Sequence, residues 1–258
     1  MIDLRKIAKK QLFPTSNVHI SRLILFESTR RPKYKHRDFK TSWGRAEVKG
    51  KLGQVHADLI EAITSNAIDG YETEEGDLIV LVDPYVIRKS MGKDGTPYSQ
   101  STLMDKVEDL KSAVITLHIN RDDNETPYFL LDGILVRIEP SKRSVINKLN
   151  GKKRFFWKVT LTKTYKEIMM TDIPMYYDPH LLVGLSGVSQ GLVRHIYTHK
   201  GTPNGGWFLD NLLERVGVDI GNSNELKNRH RELKKDADLL LNLGINIENG
   251  RVVNTKTV

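Results

Sequence analysis

Two histidines, His195 and His199, stand four residues apart in a stretch whose apolar positions repeat with helical spacing. That places both imidazoles on one helix face, where they can share a metal ion. The residues between them are Ile196, Tyr197 and Thr198, so the glutamate of a zinc-peptidase H-E-x-x-H is missing, and no third ligand is evident. No metal is expected. Asp122, Asp123 and Glu125 have the composition of an acidic metal cluster of a nuclease, yet neighbouring carboxylates in a polar turn are ordinary turn chemistry. Gly184, Gly187 and Gly191 match neither a dinucleotide fingerprint nor a phosphate-binding loop, and no Gly-Lys-Ser/Thr is present. Tyr176 and Tyr177 could serve a nicking enzyme, but no paired histidine cluster accompanies them. Cysteine is absent, which excludes disulfides, thiolate zinc sites and cysteine nucleophiles together. The expectation is a protein that is not an enzyme and needs no cofactor.

Those residues sit in a chain of 258 residues, a length that suits two domains of ordinary size. Hydrophobic residues make up 39% and charged residues 28%, enough to build a globular core under a charged surface. The formal charge of +8 favours polyanionic partners, either nucleic acid or an anionic membrane face. No run approaches the roughly 18 consecutive apolar residues of a membrane span, and Met1 to Lys10 lacks the apolar stretch of a signal peptide. A cytoplasmic protein without membrane contact is expected.

Ile20, Leu23, Ile24, Leu25 and Phe26 form an apolar run read as a docked strand or turn, followed by an exposed basic arm from Arg30 to Lys40. Leu52, Val55, Leu59, Ile60 and Ile63 repeat at three and four, which predicts a helix with one buried face. Leu78 to Val82 is a buried strand, and Asp83-Pro84 opens a short helix ending near Gly92. Ser99 or Ser101 can cap a second helix whose inner face is Leu103, Val107 and Leu110. Val114 to Ile119, Tyr128 to Ile138 and Phe155 to Leu161 read as strands, the first two separated by the polar turn 121–126. A basic loop with Lys142, Arg143, Lys148, Lys152, Lys153 and Arg154 precedes the third.

Thr171 to Pro179, rich in turn formers, marks a module boundary. Beyond it the element order repeats, without sequence repetition. Val188, Leu192 and Ile196 line one helix, and Phe208, Leu209, Leu212, Leu213 and Val216 a short second one closed by Gly217. Ser223 or Asn224 caps a third, with Leu226, Leu233, Ala237 and Leu240 inward and Gly244 after its end. Ile245 to Val253 alternates around Asn249-Gly250, a strong hairpin signal. The fold class is α+β: an N-terminal arm over 1–17, a first winged helix-turn-helix domain over 18–172 and a second over 173–258.

On the helix from 225 to 243, roughly 100° per residue places Lys227, Asn228, Arg231, Lys234 and Lys235 opposite the apolar stripe. In a helix-turn-helix the last helix enters the major groove, where Arg and Lys reach guanine, Asn pairs with adenine and flanking Lys neutralise phosphates. A solvated helix face is the competing reading. Arg251 on the following hairpin belongs to the same candidate surface. The equivalent first-module helix presents Gln100, Thr102, Lys106 and Glu108, a nearly neutral face that reads bases less or binds protein. Tyr98, Ser99 and Gln100 at its start suit phosphate contact or simple capping. Lys152, Lys153 and Arg154 complete the candidate DNA contacts.

With two such modules and a basic final helix, the chain resembles plasmid replication initiators of the TrfA and Rep type. The resemblance rests on Ile20-Ser-Arg-Leu-Ile-Leu-Phe26, the basic arm, the stretch from Leu52 to Ile63, His199-Lys-Gly-Thr-Pro203 and the Lys-rich helix from Glu225, a loose pattern over residues 18–253. It implies tandem winged helices that bind direct repeats in double-stranded origin DNA, open an adjacent A·T-rich stretch and recruit host replication proteins such as the replicative helicase. It also implies a monomer that binds the origin and a homodimer that does not, with the C-terminal module making the main base contacts. A transcriptional repressor or partition-type regulator without a replication role is the alternative.

Overall fold

The computed structural model describes residues 11–22, 24–41, 44–119, 128–146, 151–170 and 173–255. The turn at 121–126, with Asp122, Asp123 and Glu125, lies outside the described residues, as do Leu23 and Lys148. The described chain begins with β1 (Ser16–Asn17) and α1 (Val18–Arg22). Leu25 and Phe26 are buried, but the cations that follow form no free arm. Instead β2 (Lys35–Thr41) pairs along its whole length with β3 (Gly44–Gly50). Arg37 turns inward onto the carbonyl oxygens of Ile24 and Leu25, at 2.7 and 3.0 Å. Arg30 reaches Asp58 at 2.8 Å. A cationic segment beside an open strand edge gains more from ladder hydrogen bonds and carbonyl partners than from hydration alone.

The helical spacing after Leu52 produces α2 (Gln54–Ser65), in which every residue from Gln54 to Thr64 is buried. Sequence periodicity predicted one buried face; the fold buries the polar face as well, for reasons given below. β4 (Asp69–Glu72) and β5 (Leu78–Val82) lead to α3 (Pro84–Ser90), which Asp83 caps by accepting from the Tyr85 amide at 2.9 Å. In α4 (Gln100–Ser112) Leu103, Val107 and Leu110 point inward as expected. Ser99 holds the capping position, but its hydroxyl meets that of Ser101 at 3.0 Å and caps no amide.

The stretch expected as one strand from Tyr128 to Ile138 is two, in different sheets. After β6 (Val114–Ile119), β7 (Tyr128–Asp132) ends at Gly133, whose carbonyl accepts from Thr162 at 2.7 Å, and β8 (Leu135–Ile146) starts a new direction. β8 and β9 (Lys153–Leu161) absorb most of the expected basic loop into one long hairpin, with α5 (Lys163–Met170) behind it. β10 (Pro174–Met175) then pairs with β1.

The remaining elements are α6 (Gly187–Ile196), β11 (Trp207–Phe208), α7 (Leu209–Arg215), α8 (Ser223–Lys235), α9 (Ala237–Asn242), β12 (Ile245–Glu248) and β13 (Arg251–Asn254). Phe208 precedes its helix and is 55% exposed, so it is not part of the inner stripe. The helix expected over 225–243 breaks at Asp236, which is buried and accepts from the Ser186 amide at 2.7 Å. With the chain turned there, Ala237 is exposed instead of inward.

The sheets have strand orders β2-β3-β6-β7, β4-β5-β9-β8 and β11-β13-β12. In the last two, the strand that precedes a helix pair hydrogen-bonds to the final strand of the following hairpin, so β5-β9-β8 and β11-β13-β12 share one order. The architecture is α+β with two apolar cores. Leu59, Ile63, Leu103, Val159 and Met169 belong to the first; Leu192, Leu213, Leu233, Leu240 and Val252 belong to the second.

The cores meet where α2 packs on α6. Arg194, 4% exposed, donates to Glu61 at 2.7 and 2.6 Å, to Asp58 at 2.8 Å and to Gln54 at 2.6 Å. The Tyr177 hydroxyl donates to Glu61 at 2.6 Å. Burial opposes the Arg194 charge, but Glu61, Tyr177 and Asp58 hold the guanidinium protonated well above its ordinary range. On the same face of α6, Gly187 and Gly191 allow the segment 28–30 to approach: a Cβ on Gly187 would overlap the Thr29 backbone, and one on Gly191 the Ser28 hydroxyl. These glycines serve packing.

Arg194→Ala is expected to destabilise the protein by about 3–5 kcal/mol in urea unfolding, because Glu61 would remain buried without its counter-charge and Asp58 would keep only Arg30. A loss below about 1 kcal/mol would show that water replaces the guanidinium. His56 and His195 are both pushed down to about 4, chiefly by burial. The unfolded chain therefore binds protons below pH 6.5 that the folded chain refuses until about pH 4, and stability falls as pH falls through that window. At roughly 1.4 kcal/mol per pH unit, each histidine costs on the order of 2 kcal/mol at pH 5. A flat unfolding free energy between pH 7 and 5 would refute neutral burial.

Candidate nucleic-acid interface

The C-terminal helix pair positions a cationic exposed surface. α8 starts at Asn222, whose side-chain oxygen accepts from the amides of Asn224 and Glu225, both at 3.2 Å; neither Ser223 nor Asn224 is the cap. Leu233 anchors the helix in the second core. His230 meets Asp210 of α7 at 3.2 Å, tying the two helices together at the surface. Arg229 is taken by Glu232 at 3.1 Å and Glu225 at 3.4 Å.

That leaves Lys227, Asn228, Arg231, Lys234 and Lys235, all exposed. Among the described residues none of the five side chains has an ion pair or side-chain hydrogen bond, whereas the α8 carboxylates Glu225 and Glu232 are occupied by Arg229. The stripe is therefore uncompensated positive charge, with Asn228 as a bidentate donor–acceptor group beside it. Next to it, Asn249 and Gly250 have φ of 50 and 70°, the left-handed pair a tight primed turn requires, and the β12–β13 hairpin forms around them. Arg251 is half-buried: its guanidinium carbon lies 3.4 Å from the Phe208 ring centroid, and it donates to the Gly206 carbonyl at 3.4 Å.

The first helix pair offers a different surface. Tyr98 is half-buried, with its amide and carbonyl bound to Arg88. Ser99 and Gln100 are exposed at the start of α4, while Lys106 is committed to Asp109 at 3.2 Å, a carboxylate that His56 also meets at 3.1 Å. The outward positions of α4 include Met104, Asp105 and Glu108. Lys152 and Lys153 are exposed at the start of β9; Arg154 is not, since it grips Asp83 with two hydrogen bonds of 2.8 and 2.7 Å and lies 4.8 Å over the Tyr85 ring. The site residues named from sequence thus divide. The α8 set lies together, and Lys106, Arg154 and Arg251 are held by neighbours that no sequence pattern named. Asp83 as the Arg154 partner had one available signal, its place before Pro84 at a helix start.

His195 and His199 do come together, with Nε2 atoms 3.5 Å apart and ring centroids 5.2 Å apart, and His199 packs on Trp207 at 5.4 Å. Burial, reinforced by Arg22, lowers both imidazoles below their ordinary range. Among the described residues no group of three or more His, Cys, Asp or Glu could hold a metal ion, and no helix is long and apolar enough to cross a membrane.

No family model matches the chain, and no curated protein matches it. Among solved structures it is similar to a crystal structure of selenomethionine derivatives of domains 2 and 3 of RctB, at 14% identity and a TM-score of 0.54, covering 93% of this chain and 97% of that one. A second crystal structure of RctB domains 2–3 aligns at 14% identity and a TM-score of 0.49, covering 91% and 94%. The likeness is one of fold across nearly the whole length of both chains.

Asn222→Ala should cost about 1 kcal/mol of stability and fray the first turn of α8, since two amides lose their acceptor. Hydrogen exchange at Asn224 and Glu225 measures this; unchanged protection there would mean that water caps the helix equally well.

Proposed function

We propose that this chain is a sequence-specific double-stranded-DNA-binding protein built of two winged helix-turn-helix modules, and that it initiates plasmid replication by binding direct repeats at an origin and recruiting host proteins such as the replicative helicase. In this reading it acts by binding and not by catalysis, works in the cytoplasm as a monomer on DNA, and forms a homodimer when off it. The observation that carries the reading is the unpartnered stripe on α8, set on the last helix of a helix pair and flanked by the β12–β13 hairpin. A helix so placed fits the major groove with Arg231 and Asn228 toward base edges and Lys227, Lys234 and Lys235 toward phosphates. The common order of β5-β9-β8 and β11-β13-β12 supports two modules of one kind. The fold shared with domains 2 and 3 of RctB, a replication initiator, supports the replication role.

Binding sites selected from a random duplex pool test the proposal, with the winner titrated against random DNA at several salt concentrations. Enrichment of a repeat-forming site is expected. Arg231→Ala should lower discrimination between target and random duplex by about 1–3 kcal/mol, whereas Lys234→Ala should weaken both alike and reduce the salt slope by about one. Equal losses on both DNAs for Arg231→Ala would remove its base-reading role, and a pool with no enriched sequence would remove the initiator reading.

A further inference from the structure

In the first core the cations cluster on the outer part of the hairpin, whereas in the second they line α8. α4 turns Asp105 and Glu108 outward beside Met104, and its half-exposed Lys106 is neutralised by Asp109. The β8–β9 hairpin has 12 and 9 residues in its strands and is anchored at its base by buried Leu135, Val159 and Leu161. Its outer half, residues 140–146 and 151–157, contains Lys142, Arg143, Lys152, Lys153 and Arg154 and no Asp or Glu. Arg154 pins this half to Asp83 and Tyr85 at the start of α3, which fixes how the hairpin leaves the body.

The pairing register sorts the outer half into faces. Ser144 lies opposite Phe155 and Ile146 opposite Lys153, so Ile146, Lys153 and Phe155 share one face, while Val145 and Arg154 share the other. Ile146 is 62% exposed and Phe155 50%. Arg143 is paired with Asp69 at 2.8 Å and Arg154 with Asp83, which leaves Lys142 and Lys153 exposed without an ion pair among the described residues. Two large apolar side chains held in water beside two such lysines match the minor-groove proteins, which set Lys and Arg on phosphates and insert Phe or Ile at base steps. In the order of its sheet this hairpin also occupies the place that β12–β13 takes beside α8.

We infer that the first module contacts duplex DNA through the outer half of the β8–β9 hairpin and not through α4, with Lys142 and Lys153 on phosphates and Ile146 and Phe155 in the minor groove, where they bend the duplex. This rests on the reading of the chain as a duplex-binding protein, but it does not need sequence preference. Asp105 and Glu108 offset the exposed Lys111 on α4, whereas the outer half of the hairpin carries no carboxylate, so phosphate is drawn to the hairpin more than to α4.

The test uses the full chain and a random-sequence duplex, with affinity measured over a salt series and bending measured by energy transfer between end labels. The Lys142→Ala, Lys153→Ala double variant is expected to lower the salt slope by about two and weaken binding roughly tenfold, since each phosphate contact contributes about 0.9 to the slope. Ile146→Ser with Phe155→Ser should keep the slope and lose the bending signal. Met104→Ala, on the outward face of α4, should change neither. An unchanged slope in the lysine variant overturns the inference. So does a loss confined to vesicles of anionic phospholipid, which would assign the hairpin to lipid. If the double variant melts early, Lys153→Gln against Lys153→Arg in native protein reads the same contact. Failure of site selection with a slope drop intact would strike α8 alone, and the reverse result would strike only the hairpin.

Discussion

The buried Arg194 guanidinium is the constraint on which the arrangement of the two cores depends. It is the cation between Asp58 and Glu61, and all three side chains are almost fully removed from water. An isolated carboxylate in that position would cost several kcal/mol, and two would be prohibitive. α2 can therefore be buried on both faces only while α6 lies against it. Gln54 and the Tyr177 hydroxyl fill remaining hydrogen-bonding capacity, and Gln190 adds a further bond from α6 to Asp58 at 3.3 Å. A purely apolar contact would tolerate sliding. A guanidinium fork on two carboxylates does not, because a small displacement strands a charge.

The lock transmits to the surface. α6 begins at Ser186, whose amide is bound by Asp236, and Asp236 ends α8. The cationic stripe is thus fixed to α6, and α6 to α2, by one chain of hydrogen-bonded contacts. On the other side, α2 is fixed to the core from which α3, α4 and the β8–β9 hairpin emerge. On the proposed reading, two surfaces meet one rigid duplex, and their separation is then best set in advance, since each loose degree of freedom would weaken simultaneous contact.

Charge is sorted along this frame by what each cation finds nearby. Arg30, Arg37, Lys106, Arg154 and Arg194 are consumed by carboxylates or carbonyls and hold structure. The five polar residues on α8 find no such neighbour and face solvent. The net +8 is in this sense misleading as a description of a surface. What a polyanion meets is the smaller set of cations that internal pairing leaves over.

Much of this was legible in the residues alone. The three-and-four spacing around Leu59 and Leu103, the Asp83-Pro84 start of α3 and the Asn249-Gly250 hairpin are local signals, decided by backbone stereochemistry and by apolar repeats within one element. The same local geometry placed Lys227, Arg231 and Lys234 on one side of a helix. The break of a strand at Gly133, the end of α8 at Asp236 and the burial of the polar face of α2 were not legible, because each depends on a partner far away in sequence. Gly133 turns toward Thr162, Asp236 toward Ser186, and Asp58 and Glu61 toward Arg194. A pattern of residue types states which groups are charged or apolar; whether a charge is spent inside the protein or left for a partner is settled only when folding brings its counter-charge within a few ångströms, or fails to.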